Sequence, residues 1–232
     1  MFFDPLYILF MAPALIISLF AQIWVKRAFA KYSKVSSHSG YSGAQAAFDI
    51  LRRNGINDVR IEETRGMLSD HYDPRSRVLR LSSEVYNRSS LAALGVAAHE
   101  AGHALQHAQH YAPLQFRSAL VPVTSLGSNL AWPLIFIGFI LQSSMMVELG
   151  ILFFSAVVLF QLVTLPVEFN ASRRALAALT SSGVVTSAEI AGSRRVLTAA
   201  AMTYVAAAAT AVLQLIYFLI QAGLLGGRDS DS

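Results

Sequence analysis

Four apolar runs set the terms on which this chain can fold. Leu6 to Val25 is twenty residues long, and Leu120 to Leu141, Leu149 to Val167 and Ala199 to Leu225 are of similar length. About twenty apolar residues in a helix cross the hydrocarbon core of a bilayer. Pro122, Gly127 and Pro133 interrupt the second run, which membrane helices tolerate. Composition agrees: 54% of residues are hydrophobic and only 14% charged, against about 25% charged in a soluble domain. In 232 residues that leaves room for one modest polar part.

Charge placement predicts the topology. Asp4 is the only charged side chain before the first run, while Lys26, Arg27, Lys31 and Lys34 follow it. A cleaved signal peptide carries its charge the other way round, so this is an anchor with its N-terminus outside. Of 18 Lys and Arg, 13 lie between the first two runs; Arg173, Arg174, Arg194 and Arg195 lie between the last two, and the turn between the middle two has none. Both basic segments are therefore expected in the cytoplasm. The resulting organisation is an anchor over 1–25, a cytoplasmic part over 26–119, a transmembrane hairpin over 120–167, a cytoplasmic segment over 168–198, a last span over 199–225 and a frayed tail over 226–232. The net charge of +4 suits anionic lipid, and no basic stripe with interleaved aromatics points to nucleic acid.

The polar part reads as mixed α and β. Ser36 to Gly43 is a linker, Ala44 to Asn54 a helix closed by Gly55. Val59–Glu62 and Val78–Ser82 are short strands, with Arg65 to Asp73, before Pro74, as a long hairpin connection. Ser89 or Ser90 caps a helix that reaches about His110, ahead of Pro113. Ala171 to Leu179 is helical, Ser181-Ser182-Gly183 breaks it, and Thr186-Ser187-Ala188-Glu189 has capping-box form for the last helix.

Within the Ala- and Leu-rich helix stands His99-Glu100-Ala101-Gly102-His103. Four positions apart on a helix, His99 and His103 share a face and can reach one metal ion. Glu100 lies beside that face, where a carboxylate can act on a water without ligating the metal. The chain has no cysteine, so disulfides and thiolate zinc sites are excluded; imidazole and carboxylate, the donors of catalytic zinc, remain. A catalytic zinc needs a third protein ligand. The hairpin of the middle two spans returns the chain to the same face at Pro166-Val167-Glu168. Glu168 is thus the favoured third ligand, the alternative being a solvated glutamate at a helix start. Glu148 falls on the opposite side, Glu189 lies beyond a further loop, and Asp70 and Asp73 read as turn residues.

HEAGHALQH, PVEFNASRRAL after a membrane hairpin, and DHYDPRSRVLRLS before the metal helix resemble the YugP-type neutral zinc metallopeptidases, small bacterial membrane proteins. More distantly the chain resembles HtpX and the CAAX prenyl proteases, whose E-x-x-x-D motif supplies the third ligand. Glu168 matches that glutamate, and Ser172 stands where those relatives have an aspartate that orients a ligand histidine. A metzincin would need a histidine where Gln109 stands, and site-two proteases bury their motif in a spanning helix, whereas His107, His110 and Arg88 flank this one.

The expected fold is thus mainly α and integral to the bacterial inner membrane, four transmembrane helices with a small α+β, zincin-like cytoplasmic part. The expected activity is zinc-dependent endoproteolysis with Zn2+ on His99, His103 and Glu168 and with Glu100 as the base. Ser172, His107, His71 and Arg173 are candidates for supporting a ligand or touching substrate, and Tyr72 lies beside His71. Arg77–Leu81 is the candidate strand on which an extended substrate could pair, an ordinary buried strand being the alternative. Partners are the lipid bilayer and polypeptides, membrane proteins among them; the Ala-rich run Ala199 to Ala211 would allow close packing on a second copy or another membrane protein. The rival reading is a membrane scaffold or regulator whose zinc site is structural or idle.

Overall fold

The computed structural model describes residues 4–66 and 69–225; the expected tail over 226–232 lies outside the described residues. In chain order the elements are α1 (Pro5–Tyr32), α2 (Gly43–Arg53), β1 (Arg60–Thr64), β2 (His71–Asp73), β3 (Val78–Ser82), α3 (Ser83–Asn87), α4 (Leu91–Ala108), α5 (Ala112–Ile140), α6 (Ser144–Ser181) and α7 (Ile190–Gln221). The protein is mainly helical, and α1, α5, α6 and α7 are each long and apolar enough to cross a membrane. The third apolar run does not end its helix: α6 passes through Pro166 and Glu168 and stops only at Ser181, before Gly183 in the left-handed region.

The chain divides into two compact units. One comprises residues up to 20, 116–165 and from 204 onward. Its core is a cluster of Ala131, Ile135, Val147, Ile151, Phe154, Val158, Tyr217 and Phe218, in which Trp132, Phe154 and Phe218 meet edge to face. Asp4 accepts hydrogen bonds from the Leu6 amide at 3.0 Å, the Tyr217 hydroxyl at 3.1 Å and Gln221 Nε2 at 2.5 Å, which ties the start of α1 to the end of α7.

The other unit comprises residues 21–115 and 166–203. Here α2 opens with a capping box: Ser42 Oγ accepts from the Gln45 amide, and Gln45 Oε1 accepts from the Ser42 amide. The sheet has the order β1-β3-β2. β1 pairs with β3 in parallel from Arg60↔Val78 to Thr64↔Ser82, and β2 pairs antiparallel with β3 from His71↔Arg80 to Asp73↔Val78. Two expectations are corrected. The first two predicted strands do not form a hairpin, because the segment between them supplies a strand of its own. The tight hairpin is β2–β3, turned by Asp73, whose carboxylate accepts from the Arg75 amide and the Ser76 hydroxyl, with Arg77 at φ 52°. The second correction concerns Arg77–Leu81: β3 is the central strand, paired on both edges, and cannot take up a substrate strand.

α4 lies in the middle of this unit's core. Leu91, Leu94, Ala97, Ala98, Ala101 and Leu105 pack with Ile50 and Leu51 of α2, Leu79 and Leu81 of β3, Val85 of α3, Ala175 and Leu179 of α6, and Leu197 of α7. Alanines on most sides of α4 keep it thin, so several elements can approach it closely. Ser90 is its N-cap, accepting from the Ala93 amide at 3.2 Å.

Candidate metal centre

The site begins with a missing side chain. A Cβ at Gly102 would lie 2.6 Å from the Ala171 carbonyl oxygen of α6, closer than real contacts allow, so only glycine lets the two helices touch here. On α4, Gly102 adjoins His103; on α6, Ala171 lies between Glu168 and Ser172. The close approach therefore brings a carboxylate and a hydroxyl to the face that carries both imidazoles.

His99 and His103 stand with ring centroids 4.7 Å apart and planes at 86°. Glu168 Oε2 is 3.2 Å from His99 Nε2 and 3.6 Å from His103 Nε2. One donor atom from each of the three residues falls within 4.8 Å of the others. Bonds of about 2.0–2.1 Å at tetrahedral angles place neighbouring zinc ligands about 3.3 Å apart, so these three residues fit one zinc ion in both donor type and spacing. Glu168 is buried, where a carboxylate needs a cationic partner.

The rear nitrogens are also engaged. His99 Nδ1 is 3.1 Å from Ser172 Oγ, and His103 Nδ1 is 3.0 Å from Gln106 Oε1. Burial alone would push the His103 imidazole down. The hydrogen bond to Glu168, the charges of Glu100 and Glu168, and the bond to Gln106 outweigh it and hold the pKa above the ordinary histidine value. Glu100 itself is 8% exposed, within the electrostatic reach of His103.

The chain that builds this centre matches known proteins over nearly its whole length. The family described as "Putative neutral zinc metallopeptidase" matches residues 7–223. This chain belongs to that family. It is also 48% identical over 227 residues to "Putative membrane protease YugP" of Bacillus subtilis (strain 168), covering 97% of this chain and 100% of that protein. No solved structure matches it. As a family member the chain is linked by name to zinc and to proteolysis, and the triad is where its own residues could hold such an ion.

The other candidates are placed unevenly. His107 lies one turn beyond His103, and its Nδ1 is 2.8 Å from the Tyr72 hydroxyl of β2. Burial, with the charge of Asp73, pushes the Tyr72 phenol up to about 12, so it meets His107 as a hydroxyl and not as a phenolate. Burial, Arg77 and His110 push the His107 pKa down. His71 contacts the Ser69 carbonyl and Arg80 rather than the triad, and Arg173 is exposed. Arg174, by contrast, donates through Nε to Asn170 Oδ1 at 2.6 Å and lies over the Tyr111 ring. Gly102, Gln106 and Asn170 were missed in reading the sequence. The available signal was two amides without charge or aromatic character, spaced three after His103 and two after Glu168.

Proposed function

We propose that this protein is a zinc-dependent endopeptidase of the membrane, cleaving polypeptide segments at the cytoplasmic membrane surface. The observation that carries the reading is the meeting of His99, His103 and Glu168 at ligand spacing with the buried Glu100 carboxylate beside them. His99 Nε2, His103 Nε2 and Glu168 Oε2 would hold the ion. When bound, zinc polarises a scissile carbonyl and lowers the pKa of a water from about 15.7 towards roughly 7. Glu100 accepts the proton of the attacking water and returns it to the leaving amine. His107, with Tyr72 on its Nδ1, presents Nε2 for hydrogen bonding to substrate. β2 ends the sheet on the side joined to α4 through that Tyr72–His107 bond, so an extended substrate would pair along its outer edge.

The membrane placement rests on sequence order: Glu168 directly follows the apolar stretch of α6, and the basic residues flank the spans asymmetrically. In a chain without cysteine, a single cysteine at the exposed Ser181 or Ser187 should label only from the cytoplasmic side of intact cells.

The deciding experiment is peptide cleavage and zinc content in wild type and Glu100→Gln. Cleavage should fall about 10²–10⁴-fold, as for loss of a general base, with zinc retained. Equal cleavage in both proteins would remove Glu100 from the mechanism. Zinc without cleavage in either would favour the scaffold reading.

A further inference from the structure

Gln106 is fully buried, 0% exposed, in the last turns of α4, and both of its functional atoms are engaged. Its Nε2 donates to the Val167 carbonyl at 2.8 Å and to Asn170 Oδ1 at 2.9 Å. Its Oε1 lies 3.0 Å from His103 Nδ1.

The orientation of this network follows from groups that have only one role. A backbone carbonyl only accepts, so the Gln106 NH2 must face Val167. An arginine only donates, so Asn170 turns Oδ1 toward Arg174 Nε, 2.6 Å away, and that oxygen is then an acceptor for the second Gln106 N–H. With both hydrogens of its amide used, Gln106 faces His103 with oxygen alone. His103 Nδ1 must carry a hydrogen, so the nitrogen that can give its lone pair to an ion is Nε2, the atom 3.6 Å from Glu168 Oε2. His99 has no such constraint from its rear contact, because the Ser172 hydroxyl can donate or accept.

We propose that Gln106 is a positioning residue for the metal centre. It fixes His103 in the Nδ1–H tautomer and fastens that ring to the backbone of α6 at Val167, the residue before Glu168. One side chain thus sets the protonation pattern of one ligand and the distance to another on a different helix. Val167 O and Asn170 Oδ1 enforce this orientation, and Arg174 anchors Asn170 from the solvent side. The proposal rests on the reading of His99, His103 and Glu168 as the metal-holding set.

The test compares detergent-purified full-length wild type, Gln106→Met, Asn170→Ala and His99→Ala. Zinc affinity is read by competition with a chromophoric chelator. The tautomer of His103 is read from ¹⁵N-histidine spectra of ion-free protein in a Glu168→Ala background, which removes the acceptor facing Nε2, at a pH above the ring's own titration, with the resonance assigned through His103→Gln. With Gln106 in place, that background should show His103 protonated at Nδ1. Gln106→Met should populate both tautomers and lose zinc affinity about 10–100-fold, the usual effect of losing a partner behind a ligand. Asn170→Ala, which leaves Gln106 in place but loosens it, should show a smaller shift of the same kind and serves if Gln106→Met does not fold. A lowered Tm in Gln106→Met with an unchanged His103 spectrum and wild-type zinc affinity would mean packing alone. That overturns the proposal and leaves the metal reading standing. Wild type that binds zinc no better than His99→Ala overturns the metal reading, and the proposal with it.

Discussion

The two units draw on the same apolar residues and solve different burial problems with them. In the unit that carries the triad, Leu94, Leu79, Leu81 and Leu51 are enclosed by protein on all sides. In the unit of residues up to 20, 116–165 and from 204 onward, Leu9 and Leu152 are 67% and 65% exposed, and Ile140, Leu141 and Met145 are comparably bare. Apolar exposure on this scale would aggregate in water; on helices of span length it is the surface that lipid covers. A leucine therefore carries different weight in the two places. In one it is held by a fixed set of neighbours, in the other by a solvent.

The largest effects should separate the units at the metal centre. Glu168→Ala should take zinc content from about one ion per chain to background, by metal analysis, because two imidazoles alone leave the site a ligand short. Unchanged zinc would mean that the carboxylate is not a ligand. Leu94→Ala should cost about 2–5 kcal/mol, as cavities in packed cores do. Leu152→Ala should lie within about 0.5 kcal/mol by thermal unfolding in detergent, as for surface sites. Equal losses would dissolve the contrast. Leu152→Lys sharpens it from the other side: a charge facing lipid costs about 2.5–3.5 kcal/mol of membrane insertion, read as reduced membrane-integrated protein. Gly102→Ala should cost about 1–3 kcal/mol from overpacking, and its effect should reach zinc affinity, because the displaced helix is the one that carries Glu168.

How legible each part was follows from the same contrast. The apolar spans were plain in the sequence because lipid asks only for length and hydrophobicity, and α1, α5, α6 and α7 satisfy both. The histidine pair was legible because four-residue spacing on a helix fixes a shared face without help from the rest of the fold. The sheet was not. β2 is three residues long, too short for an alternation pattern, and without it β1 and β3 read as a hairpin and not as the parallel pair they form. Gly102 was equally silent, since its meaning lies in Ala171, 69 residues away in the chain. Glu168 could be reached by following the chain across its hairpin, but the amides behind His103 could not. A polar residue in an Ala-rich helix discloses its partners only when the facing helix is in place.

The smallest effect tests whether surface polar ties matter in the site-bearing unit. Glu189 closes the capping box predicted at the start of α7, accepting from the Thr186 amide at 2.8 Å and hydroxyl at 2.9 Å. Its other oxygen accepts from the His38 amide at 2.6 Å, which joins the segment after α1 to the segment before α7. Burial works to raise its pKa, but the bonds from the Thr186 and His38 amides outweigh it, and the carboxyl is held below the ordinary glutamate value. The sign follows from that depression: the folded state binds its proton less readily than the unfolded chain. The tie is therefore fully present above the unfolded pKa of about 4.3 and is lost as pH falls through the lower folded value. Because the group is largely open to solvent, its worth should stay under about 1 kcal/mol. The Tm of wild type minus that of Glu189→Gln should be small, positive and flat above about pH 5.5, and should shrink below about pH 4. A difference independent of pH would mean that Glu189 acts through the shape of its side chain, and that even at its surface this unit is held by packing rather than by charge.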